Sequence, residues 1–194
     1  RSWWVERRSR DALVYVAAAL FAGWLHAITL PFTLLPFVYC GARALYSRDT
    51  QRLVALVKLG SATALALAVV LAPPMIIDWA EFASKAGRGR ASLDTLYRAL
   101  LMIAGTGVAP VGMFVFALAA FGWWRVRRRD PDLAWYLATI CGAGTVVVAS
   151  SGFEWIFHPL VLARYLIPIV PFVLLFAAEG IVALVATPRS WMGA

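Results

Sequence analysis

The stretch LVALVKLGSATALALAVVLA, residues 53–72, decides the fold, because its single charge is Lys58 and everything else in it suits hydrocarbon. A helix rising about 1.5 Å per residue needs roughly 20 such residues to cross a bilayer core about 30 Å thick. Pro73 and Pro74 follow at once, and two residues without an amide hydrogen predict the end of that span.

The rest of the chain repeats this alternation. Of 194 residues 62% are hydrophobic and the mean hydropathy is +0.78, whereas ordinary soluble domains are about 45 to 50% apolar. The charged residues, 14% of the total, gather at 1–11, 43–52, 78–98 and 125–132, with apolar runs between them. This pattern predicts an all-α polytopic transmembrane bundle, a single domain over residues 1–194, with about six spans. The run 12–46 is too long for one crossing, so it reads as two short helices, 13–28 and 31–46, broken at Pro31 and with a kink at Pro36. The remaining spans fall at 53–72, 108–124, 133–150 and 165–186. Residues 78–90, with Gly87 and Gly89, read as a loop, and 125–132 as a short connection. Ser92 is placed to cap a helix starting at Leu93. Leu93, Leu96, Tyr97, Leu100 and Leu101 make its apolar stripe, opposite Asp94, Thr95 and Arg98, which predicts an interfacial helix in an outer loop.

A net charge of +8 in a soluble protein would suggest nucleic acid; here the arginines flank spans, and the positive-inside rule accounts for them without such a partner. With the N-terminus in the cytoplasm, all of the 18 Lys and Arg except Lys85, Arg88, Arg90, Arg98 and Arg164 fall on the cytoplasmic side. The expectation is a multi-pass integral membrane segment with both ends cytoplasmic and tryptophans such as Trp3, Trp79, Trp124 and Trp191 near span ends. Cys40 and Cys141 lie in apolar runs and read as small buried hydrophobes. The chain begins with Arg1 and lacks the pattern of a signal peptide, so a fragment of a longer chain is expected.

The chemistry-bearing residues collect on the expected outer face. Arg164 and Tyr165 stand where a long apolar span begins, and Lys85, Arg88 and Arg90 lie in the loop after the third span. Arginine offers fixed donors to phosphate oxygens and lysine a mobile charge, so these five are the candidate contacts for an anionic head group. The plainer reading for the loop residues is a solvated segment touching lipid phosphates, and for Arg164 a boundary side chain that snorkels. His26, Asp78, Glu154 and His158 form a possible polar site. His26, beside the Pro31 break, reads first as a structural histidine, and Glu154 with His158 has the spacing of a helical acid and histidine pair. Glu179, inside the last span, calls for a partner on a neighbouring helix, hydration at the cytoplasmic end, or a proton-relay role. Two distant histidines make no metal site, and no catalytic triad, phosphate loop or zinc-protease spacing occurs, so no catalytic residue is assigned.

Residues 164–171, Arg-Tyr-Leu-Ile-Pro-Ile-Val-Pro, continuing through Ala178, Glu179, Gly180 and Ile181, resemble a late span of polytopic glycosyltransferases with the GT-C fold, in particular the protein-mannosyltransferase-like and aminoarabinose-transferase-like group. Residues 25–30 are similar to that family's mid-chain pair of spans, and Ile76, Ile77, Asp78 and Trp79 to the polar exit from the next. The resemblance implies the C-terminal portion of an enzyme that moves a sugar from a polyprenyl-phosphate donor to an acceptor on the extracytoplasmic face. Arg164, with Lys85, Arg88 or Arg90, would hold the donor phosphate. The acidic residue that acts as base would lie in an earlier outer loop, as would any divalent metal; no cofactor is assigned to this chain. The implied partners are the polyprenyl-phosphate-linked sugar and membrane lipids. Glu179 departs from the apolar setting usual before that glycine. The competing class is a membrane transporter or channel subunit, which the Pro31 break and the isolated Glu179 favour.

Overall fold

The structure is a computed structural model in which residues 9–25, 29–85, 91–151 and 156–186 are described. It divides into two compact units, Arg1–Ala86 and Gly87–Ala194. All regular elements among the described residues are helices.

The first unit contains α1 (Ser9–Leu25), α2 (Leu30–Tyr46), α3 (Thr50–Ile77) and α4 (Trp79–Lys85). Asp49 starts α3 by accepting the Arg52 amide at 2.9 Å, and the Arg52 side chain returns to its carboxylate at 3.1 Å. The tight turn before it uses Arg48 at φ 54°, a left-handed conformation uncommon outside glycine. α3 packs on both α1 and α2. Gly23 marks the α1 contact, since a Cβ there would come within 2.8 Å of Leu67 Cδ2. The Tyr15 hydroxyl donates to the Thr33 carbonyl, one turn before Pro36, while its ring meets Phe37 edge-on at 5.3 Å. Proline disturbs the carbonyls of the preceding turn, so a neighbouring hydroxyl is a natural partner there.

Two expectations fail in this unit. The third span does not stop at Pro73 and Pro74: α3 runs through both to Ile77, and its last turn is closed by the Asp78 amide on the Pro74 carbonyl at 2.9 Å. The two prolines withhold amides from the Val69 and Val70 carbonyls, yet the helix continues three residues beyond Pro74. The segment after Asp78 is not all loop either, because 79–85 form α4; residues 86–90 lie outside the described residues.

The second unit contains α5 (Leu93–Ile103), α6 (Ala109–Arg129), α7 (Pro131–Ser150), α8 (Pro159–Tyr165), a 3-10 turn (Ile167–Ile169) and α9 (Val170–Ala186). Its central contact is α6 on α9. A Cβ on Gly122 would overlap the Phe176 carbonyl, and one on Gly180 would overlap the Leu118 carbonyl. Because lipid chains are as apolar as leucine, helices in a bilayer gain by letting backbones approach, and glycines at the crossing allow it. Ala119, Leu137, Phe176 and Ala177 form the buried cluster beside it.

The connection expected at 125–132 is one residue long. α6 continues through Arg129, and Asp130 ends it and caps α7 by accepting the Leu133 amide at 3.0 Å. Arginine is a good helix former and favourable at a helix C-terminus, which explains why the charge run stays helical. α5 begins at Leu93 with Ser92 accepting the Thr95 amide at 3.1 Å, as the cap predicts; of the expected polar face Asp94 and Arg98 are exposed, but Thr95 turns inward. Thr95, Ala99, Leu101 and Ile103 are buried, whereas Leu93 is 86% exposed. Packing on α8 selects the side with small residues.

By length and composition four helical segments can cross a membrane: Thr50–Ile77, Ala109–Arg129, Pro131–Ser150 and Ile167–Ala186. Most of each apolar window faces outward from the protein interior. The described residues are those of an all-helical membrane protein. α1 and α2 have 17 described residues each, fewer than any of these four.

Candidate functional site

Pro159 opens α8 at a position where a helix lacks an amide partner anyway, and His158 precedes it in an extended conformation with φ −87° and ψ 124°. The Leu162 amide donates to the His158 carbonyl at 3.0 Å. The turn is fastened to α5: the Thr95 hydroxyl donates to the Phe157 carbonyl at 3.0 Å, and Thr95 is 6% exposed. The Phe157 and His158 rings lie 4.5 Å apart. Of the acid and histidine pair expected of Glu154 and His158, Glu154 lies outside the described residues, and His158 stands just before α8 rather than within a helix.

Leu162, Ala163 and Leu166 bury one side of α8, leaving Arg164 on the other, exposed beside Leu160 at 71% and Ile167 at 58%. Arg164 makes no ion pair with any described residue. It occupies the last turn of α8, where a cation also complements the helix dipole. Tyr165, half-buried, ends the helix.

The sixth span was expected to run unbroken from 165. Instead α8 stops at Tyr165, a 3-10 turn covers 167–169 and α9 starts at Val170. Pro168 and Pro171 supply no amide hydrogens to the carbonyls one turn earlier, so the chain changes helix type between them. Arg164 therefore sits on a short separate helix before the break.

The other sequence candidates are distributed as follows. Asp78 closes α3 in the first unit and Lys85 ends α4 there, its side chain outside the described residues. His26, Arg88 and Arg90 also lie outside them. His158, Arg164 and Tyr165 are brought onto one short element of the second unit. Glu179 meets Arg129 of α6 at 3.8 Å, the neighbouring-helix partner that its position calls for. Cys40 and Cys141 are free and half-buried. Among the described residues no three of His, Cys, Asp and Glu gather into a metal-holding group.

Sequence reasoning missed Thr95, whose hydroxyl anchors the 157 turn, and a cluster at the end of α6. There Arg127 lies over Trp123 at 5.6 Å and Trp135 at 5.1 Å, and Arg128 over Trp124 at 3.8 Å. The repeated Trp to Arg spacing of four residues, which aligns side chains on one helix face, was the available signal. No family model, characterised protein or solved structure matches the chain.

Proposed function

We propose that the chain is a membrane segment of a glycosyltransferase that takes a sugar from a polyprenyl-phosphate donor on the extracytoplasmic face, with Arg164 contacting the donor phosphate. The observation that carries this reading is the setting of Arg164: an exposed guanidinium flanked by exposed Leu160 and Ile167, next to a proline-broken helix. A cation bordered by apolar side chains complements an amphiphilic anion, whose phosphate meets the charge while its chain stays in lipid. Tyr165 and the turn that Thr95 fixes stand next to it. As the bond from sugar to phosphate breaks, negative charge grows on the leaving phosphate, and a preplaced cation stabilises it. The sequence resemblance to GT-C enzymes of the protein-mannosyltransferase-like group supplies the reaction class. No residue of this chain is assigned as the base. In this reading α1 and α2 make two short crossings, six in all, with both ends cytoplasmic and α5 along the outer interface.

The test uses membranes carrying the full-length protein and a polyprenyl-phosphate-linked sugar. Arg164→Ala should abolish transfer with insertion unchanged, and Arg164→Lys should restore part of it, because a point charge replaces a two-pronged donor. Full activity in Arg164→Ala would reduce Arg164 to a snorkelling boundary residue. Substrate movement across the membrane without sugar transfer would favour the transporter class.

A further inference from the structure

At the end of α6 the cations are held differently. The Trp123 indole N–H donates to the Ala134 carbonyl at 3.0 Å, fixing that ring across the turn between α6 and α7. Trp135 meets it edge-on at 5.3 Å, and Arg127 lies over both rings. One residue further, Arg128 lies over Trp124, which itself stacks on Phe121 at 5.8 Å. Of the nearby acids, Asp130 caps α7, Asp132 lies in the first turn of α7, and Glu179 faces Arg129. Neither Arg127 nor Arg128 forms an ion pair with a described residue, and both are exposed.

Charge alone satisfies the positive-inside rule; it does not require guanidinium groups laid against indoles. A guanidinium held over a ring rather than paired with a carboxylate keeps N–H groups for another acceptor, and the planar fork suits phosphate oxygens. Tryptophan prefers the head-group level of a bilayer, so these forks stand at the depth of lipid phosphates. We infer that Arg127 and Arg128, clamped by Trp123, Trp124 and Trp135, form a binding site for the phosphate of an anionic membrane phospholipid. The site lies before α7 and Arg164 after it, so it does not rest on the proposed transfer reaction.

The experiment titrates the purified full chain in detergent with phosphatidylglycerol and with phosphatidylcholine and counts retained lipid by native mass spectrometry. The unaltered chain should prefer the anionic lipid by about tenfold or more, the scale expected of two juxtamembrane arginines. Arg127→Gln with Arg128→Gln should bring the two lipids to near parity. Arg127→Lys with Arg128→Lys keeps the charge but loses the stacked fork, and should keep less than about a third of the preference. Trp124→Leu with Trp135→Leu should weaken it in the same direction with all charges present. Equal retention of both lipids by the unaltered chain would overturn the site. So would lysine variants that match it, which would leave only diffuse attraction, or displacement of the lipid by inorganic phosphate at millimolar concentration, which would make it a site for free phosphate.

Discussion

Two arginine-bearing helix ends in the second unit are built on opposite plans. At the end of α6, Arg127 and Arg128 lie against three indoles and Arg129 faces Glu179 at 3.8 Å. At the end of α8, Arg164 has apolar neighbours and no ion pair with a described residue. Rings and a carboxylate hold the first group in place before any ligand arrives. Arg164, with no such hold among the described residues, keeps more rotamer freedom, so on the proposed reading binding there would carry a larger ordering cost than at the α6 end. A pair held over rings would suit a resident lipid, and a less constrained side chain the proposed substrate, which comes and goes.

The largest expected effect breaks that contrast at Arg164. In the full-length protein Arg164→Ala should lower sugar transfer by about 100-fold or more, the scale of removing one donor to a developing oxyanion. Arg98 is the matched control: it is exposed, pairs with Asp94 at 2.9 Å one turn away, and its replacement by Gln should change transfer by less than about twofold. Comparable losses in both variants, read from initial rates at equal protein levels, would mean that loop charge in general and not this position matters.

Next in size is the helix contact beneath the α6 end. Gly122→Ala places a methyl group on the Phe176 carbonyl, and backbone cannot yield as a side-chain tip can, so a loss of about 3 kcal/mol or more is expected. Gly142→Ala in α7 meets nothing within 4 Å and should stabilise by about 0.5 to 1 kcal/mol through helix propensity. Opposite signs in unfolding from detergent micelles would establish that the glycine at the crossing, not glycine content, joins α6 to α9.

How far such features could be read in advance depended on their range. Apolar runs announced helices at 53–72, 108–124 and 133–150 because lipid demands length and composition together, and Ser92 announced the start of α5 through a bond spanning only three residues. Proline signals misled in both directions. Pro73 and Pro74 sit inside α3, whereas the expected span 165–186 begins only at Ile167, with a 3-10 turn around Pro168. The outcome depends on whether other donors replace the missing amide, which tertiary structure decides. The place of Thr95 on α5 was misread for a related reason. Thr95 turns inward to a carbonyl 62 residues away, and no local periodicity carries that information. Of the candidate site, the Arg164 and Tyr165 pair stood out in sequence, but its exposure on a separate short helix needed the packing of Leu162 and Leu166.

Thr95→Val sharpens the contrast from the Arg164 side. It keeps the shape of the side chain and removes the hydroxyl's bonds to the Phe157 carbonyl and to Ser92 Oγ, at a cost of about 1 to 2 kcal/mol. Because the bond to Phe157 ties α5 to the start of α8, hydrogen exchange should rise at Leu162 and Leu166, whose amides close α8, and stay unchanged in α6 and α7. Uniform acceleration across the unit would indicate global destabilisation and remove Thr95 as the anchor of the Arg164 helix.

The smallest effect should come from Glu179→Gln. At 3.8 Å, with side chains 64% and 35% exposed, the Arg129 pair is long and partly solvated, and such pairs contribute about 0 to 1 kcal/mol. Glutamine has nearly the same shape, so any change in unfolding should be within that range and shrink further as salt is raised. A proton-relay role predicts something else: a stability change no larger, but loss of a pH-dependent step in function, since glutamine cannot exchange a proton. Small stability loss with unaltered function across pH would leave Glu179 as a tether for Arg129. The α6 end would then be one where rings hold two arginines more firmly than a carboxylate holds the third.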